Sequence, residues 1–199
     1  MKLQIINVVW GEKYINTFLD LSLPTQLSSG NLRELSEKPD YIIYTNESGK
    51  EQIKSSRIYQ SLEASASVNF KLIKIASGKC PFKILLESHS NAIKEANRKN
   101  APMVFLSPDC ILSTGVFTYC EQALIRGTRL IAVCSSRMSL EAYQEVVQEK
   151  KANNQEGIVA WSPQELAVTT IKNLHYRAKC LMMSEGNIGG HPSHMYWKL

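Results

Sequence analysis

The stretch Ala101-Pro-Met-Val-Phe-Leu-Ser-Pro-Asp-Cys110 decides the reading of this chain. Five of the six residues from Pro102 to Ser107 are apolar, so the segment is expected to be a strand buried on both faces of a sheet. Pro108 cannot donate the next ladder hydrogen bond, and Asp109 emerges where such a strand leaves its sheet. In an open α/β sheet, ligands bind outside the carboxyl ends of the strands. An acid at that point is placed to hold a metal ion or a sugar hydroxyl.

Working outward, strand and helix patterns alternate. Residues 3–9 are apolar and β-branched and end at Trp10-Gly11. Residues 13–27 carry apolar side chains at helical spacing, with Pro24 as an interruption. Residues 41–44 form a second strand ending in Thr45-Asn46. A helix is expected over 50–64, a strand over 68–75, and the strongest helix over 82–99, with Ile84, Leu85, Ala92, Ile93 and Ala96 as its buried stripe. After the strand of Met103 to Leu106 come a helix over 116–125 closed by Arg126-Gly127, a fifth strand over 130–134 and a polar-rich helix over 140–151. Ser162-Pro-Gln-Glu165 supplies an N-cap, a first-turn proline and a capping glutamate, so a helix starts at Pro163. The alternation predicts an α/β fold, a mostly parallel central sheet with helices on both faces.

Composition narrows the function classes. The chain has 199 residues, 44% hydrophobic and 21% charged, with a net charge of +5. That suits one domain with a large core, here taken as residues 1–183, followed by a Gly-, His- and aromatic-containing tail over 184–199 expected to fold back over the site. The basic residues are scattered, which argues against a nucleic-acid partner. No apolar stretch approaches a membrane span, so no transmembrane segment is expected. Five cysteines without a secretory pattern predict reduced thiols and a cytoplasmic setting.

Candidate chemistry gathers at strand ends. Trp10, Thr45, Asn46, Ser107 and Asp109 follow three strands and share one edge of a parallel sheet. An aromatic ring, an amide and an acid there suit base stacking, ribose hydrogen bonding and contact with a metal or sugar. His89, on the strongest helix, is a candidate for a phosphate or ribose contact. Asp109 needs a further ligand to hold a cation, and His191 or His194 in the tail is the candidate. Neither a G-x-G-x-x-G nor a G-x-x-x-x-G-K-[ST] phosphate loop is present, and no G-x-S-x-G elbow.

Five elements together resemble the GT-A-type nucleotide-sugar glycosyltransferases. They are Val9-Trp10-Gly11, Tyr44-Thr45-Asn46, the helix containing His89-x-x-Ala92-x-x-x-Ala96, the run Phe105-Leu-Ser-Pro-Asp109-Cys-Ile-Leu-Ser-Thr-Gly115, and His191-Pro-Ser-His-Met-Tyr-Trp197. In that family an Asp-X-Asp motif ends a central strand and holds a divalent cation on the sugar diphosphate; here Ser107-Pro108-Asp109-Cys110 retains one acid. The resemblance implies a UDP- or GDP-linked sugar donor, an unknown acceptor, and a manganese or magnesium ion on Asp109 with His191 or His194. It assigns no catalytic base, Glu156 and Glu185 being candidates only by their place in the later loops. A non-catalytic nucleotide- or partner-binding module on the same sheet is the alternative, and an unrelated doubly wound protein a third reading.

Overall fold

The computed structural model describes residues 2–75, 80–133, 137–152, 157–180, 182–183 and 196–197. Strand β1 (Gln4–Val8) is buried at all five positions, as expected of a central strand in a sheet covered on both faces. It pairs in parallel with β2 (Asp40–Thr45) on one side and β4 (Met103–Leu106) on the other. Beyond β2, also in parallel, lies β3 (Ser67–Leu72). The strand order is therefore β3-β2-β1-β4, and the direction of strand addition reverses between β1 and β4. Register brings the carboxyl ends into line: Val8 is opposite Tyr44, Thr45 opposite Leu72, and Asn7 opposite Leu106.

Side-chain alternation divides the core by face. Ile6, Val8, Ile42 and Tyr44 meet Ala92 of helix α5 (Pro81–Lys99). On the opposite face Ile5, Val9, Tyr41 and Ile43 pack with Phe18, Leu23, Leu27, Leu62 and Phe117. The second face is built from α1 (Glu12–Thr17), a π-helical turn (Phe18–Ser22) and α2 (Leu23–Gln26), which run on without a break. Pro24 therefore sits in the first turn of α2 after the wide turn, where its missing N–H costs little, and it does not interrupt the path. The helix expected over 50–64 is two helices, α3 (Glu47–Ser55) and α4 (Arg57–Ser65), parted at Ser56, whose backbone is extended. Helix α6 (Val116–Ile125) lies against the α2 side through Phe117.

A satellite core docks the later helices. Trp161, Tyr143, Val147 and Val159 enclose Leu21, and the Lys150 ammonium lies 4.3 Å over the Trp161 ring. Helix α7 (Leu140–Ala152) supplies Tyr143 and Val147. Helix α8 (Pro163–Lys172) starts as the capping pattern requires: the Glu165 N–H donates to Ser162 Oγ at 3.1 Å. The short helix α9 (Tyr176–Cys180) follows. Among the described residues no helix is long and apolar enough to cross a membrane.

Three further sequence expectations are corrected. β4 is an edge strand: Phe105 is 44% exposed, and only Leu106 is buried. Ile93 is half exposed, outside the buried face formed by Ile84, Ser88, Ala92 and Ala96. Residues 130–133 form no strand, Leu130 and Val133 being 82% and 75% exposed, while Cys134 lies outside the described residues. Apolar content makes a strand only where a ladder partner is reached. The backbone that follows pairs elsewhere: Met138 bridges Leu174, the Ser139 N–H donates to Asn173 O, and the His175 N–H donates to Arg137 O.

Candidate functional site

The parallel sheet brings Trp10, Thr45, Asn46, Ser107 and Asp109 to one carboxyl edge, with Trp10 on the α5 face and Thr45, in phase with Tyr41 and Ile43, on the other. Trp10 is half-buried and packs with Ile73 and Leu85 against the α5-side cluster. His89 lies on the same face. Its ring sits 4.8 Å from that of Phe105 on β4, and burial lowers its pKa below the ordinary imidazole value. Protonating His89 therefore opposes folding: stability is full above pH about 6.5 and falls as the pH drops through the lowered value. A ring-proton titration by NMR should place the His89 midpoint below that of a free histidine; a midpoint at or above it would contradict the packing against Phe105.

Thr45 and Asn46 do local structural work. Asn46 is the N-cap of α3, its Oδ1 accepting from the Gly49 N–H at 3.3 Å while its Nδ2 donates to Ser48 Oγ at 2.9 Å. Thr45 is fully buried, with no partner for its hydroxyl among the described residues, and that oxygen closes on the space a side chain at Gly49 would need. A ligand reaching this edge meets the Asn46 cap rather than the Thr45 hydroxyl.

The turn after β4 is different. The Ser107 hydroxyl donates to an Asp109 carboxylate oxygen, and the Cys110 N–H closes the turn on Ser107 O at 3.0 Å. Burial, then the neighbouring Asp109 charge, push the Cys110 thiol pKa up, so Cys110 is no nucleophile here. Beyond it the loop is fastened to the segment around α2 by polar groups with almost no solvent exposure. The Leu112 N–H donates to Thr25 Oγ1 at 3.1 Å, Asn31 Nδ2 donates to Ser113 O at 3.0 Å, and the Phe117 N–H donates to Asn31 Oδ1 at 3.1 Å. Two backbone bonds add to these, Gly115 N–H to Ser29 O and Thr118 N–H to Gly30 O. These partners lie more than eighty residues apart in sequence, and no spacing rule pairs them. The available signal was only that Ser22, Thr25, Gln26, Ser28 and Asn31 crowd polar groups into a segment that must also be buried.

A cleft of about 240 Å³ opens on the α5 face at the ends of β2 and β3, lined by Tyr44, Ile73, Lys74, Glu87, Ser88 and Asn91 among others. It lies below the range of about 300–1,000 Å³ usual for drug-sized ligands. That is room for a group of nucleobase size. Burial, followed by the charge of Glu95, raises the Tyr44 hydroxyl pKa, so that hydroxyl remains a neutral donor. Ile73 lines the cleft and, like Trp10, packs against the α5-side cluster. Sequence reading named none of Tyr44, Lys74 and Asn91 as a site residue.

The donor set for a cation is poor. Asp109 supplies a single carboxylate, which already accepts from the Ser107 hydroxyl, whereas magnesium is held by one or two carboxylates together with substrate phosphates and several waters. Among the described residues no group of three or more His, Cys, Asp or Glu side chains converges. The described residues thus offer only Asp109 of the expected ligands; His191, His194, Glu156 and Glu185 lie outside them, as does most of the tail expected over the site. Of that tail, Tyr196–Trp197 pair in parallel with Met182–Met183. No protein-family model matches this chain, and no curated protein sequence matches it.

Proposed function

We propose that this chain binds a sugar nucleotide, UDP- or GDP-linked, at the carboxyl edge of its sheet, as a glycosyltransferase-like protein of GT-A architecture. The observation that carries the reading is the reversal of strand order between β1 and β4, with Trp10 and Asp109 on the chain segments leaving those two strands. In parallel α/β sheets the crevice outside such a reversal is the ligand site. Trp10 offers an aromatic ring at the carboxyl end of β1, and the Asp109 carboxylate is an acceptor for a ligand hydroxyl. This role for Asp109 can be filled without a cation.

Isothermal titration with UDP, GDP and their sugars, in EDTA and again with manganese, tests the reading. Binding in EDTA is expected, weakened about tenfold in Asp109→Ala, the effect of losing one hydrogen bond to a charged group. Binding seen only with manganese would transfer the role of Asp109 from a hydroxyl to a cation. No binding by any nucleotide would overturn the reading. It would favour the second one, a non-catalytic partner-binding module, which the single acid in Pro108-Asp109-Cys110 already supports.

A further inference from the structure

Behind the Asp109 turn runs a buried chain of side-chain hydrogen bonds. Asn7 Nδ2, on β1, donates to the Tyr41 hydroxyl at 3.2 Å. That hydroxyl, on β2, donates to Gln26 Oε1 at 2.6 Å. Gln26 Nε2 donates to Ser22 Oγ at 2.9 Å, and the Ser22 hydroxyl donates to the carbonyl of Cys110 at 2.6 Å. All four side chains are fully buried. Each acceptor is the next donor, so the bonds polarise one another in one direction and reinforce the last, the one that meets the loop. Burial makes each member costly to leave unpaired and so fixes the geometry.

We propose that Ser22 and Gln26 are positioning residues for the ligand-binding edge: by holding the Cys110 carbonyl they set the Ser107–Cys110 turn and with it the direction of the Asp109 carboxylate. The significance for ligand binding rests on the reading of Asp109 given above. Two central strands are the fixed end of the device and the turn is its working end. Well-ordered sites are built in this way, with the contacting group held by partners that are themselves locked. Loss of the Ser22 hydroxyl would strand Gln26 Nε2 and the Cys110 carbonyl together.

Ser28 provides the comparison. Its hydroxyl is equally buried in the same segment, but it donates to Thr25 O and accepts from Asn31 Nδ2, not touching the Asp109 turn. A purely structural role makes Ser22→Ala and Ser28→Ala alike. Amide hydrogen exchange by NMR on the full chain separates the cases. Ser22→Ala is expected to speed exchange of the Cys110 N–H about tenfold while the Ile6 and Ile42 amides keep their protection; Ser28→Ala leaves Cys110 unchanged. Equal effects of the two variants at Cys110 would overturn the proposal. Should Ser22→Ala not fold, Ser22→Cys, with a weaker donor in nearly the same volume, is expected to give a smaller acceleration at Cys110, and none would be equally fatal. A UDP titration of the same variants forms the second arm. UDP affinity in Ser22→Ala equal to that of the parent would also overturn the proposal. A parent that binds no UDP defeats the reading of Asp109 alone and leaves the exchange comparison to decide the positioning role.

Discussion

Asn31→Ala is expected to destabilise the protein by about 3 kcal/mol, roughly a hundredfold in the folding equilibrium. The side chain is fully buried, and it bonds Thr25 O, Ser28 Oγ, Ser113 O and the Phe117 N–H. Alanine removes all four contacts and leaves the Ser113 carbonyl and the Phe117 N–H with no side-chain partner, each worth about 1–3 kcal/mol when orphaned. Urea unfolding should show a lower midpoint with an unchanged slope, the sign of a loss of stability without a change in the surface exposed. A loss below about 1 kcal/mol would mean that the two segments are held together without this side chain.

Gly30→Ala acts at the same joint by a different mechanism and is expected to cost a similar amount, about 3 kcal/mol. Gly30 has φ +71°, which costs an L-residue about 1–2 kcal/mol. Its added Cβ would lie 2.5 Å from Gly115 Cα and 2.7 Å from Gly115 N, backbone atoms that cannot turn aside. Overpacking of that kind adds about 1–3 kcal/mol. Gly157 separates the two terms: its φ is also +71°, but among the described residues nothing lies within 4 Å of a Cβ built there. Gly157→Ala should therefore lose only the conformational part, and equal melting losses in the two variants would disprove the close approach at Gly115. Because Gly30 and Asn31 share the 113–118 segment, their double variant should lose less than the sum of the single ones.

The sheet was legible because apolar runs separated by helices leave few arrangements for a parallel fold. β1, β2 and β4 begin and end within about two residues of their expected limits, and the Ser162 cap forms as its pattern requires. Burial of β4 was misread because central and edge strands can carry the same apolar run; only the neighbour that arrives on the outer side tells them apart. For residues 130–133 the run was present and the neighbour was not. Ser56 escaped notice since a single extended residue barely disturbs a helical apolar pattern. At the candidate site, parallel strands put all the strand ends on one edge regardless of detail, so that placement was readable. Their division between faces followed from parity: Trp10 continues the phase of Ile6 and Val8, whereas Cys110 and Leu112 belong to the opposite core. The hydrogen bonds behind Asp109 had no local signal, because Ser22 and Cys110 meet only after the whole of β2, β3 and α5 has been laid down between them.

The wide turn at Phe18–Ser22 has a consequence for how this chain tolerates change in length. A π-helical turn holds one residue more than the α-helical spacing on either side of it. The two flanking helices are thus out of phase by one position, about 100° around a common axis. The residues of α2 downstream of the wide turn, Thr25 and Gln26 among them, owe their inward direction to that offset. Shortening this stretch by one residue would preserve the helix and its composition while turning a different set of side chains toward the Asp109 turn. In this region the count of residues carries as much structural information as their identity.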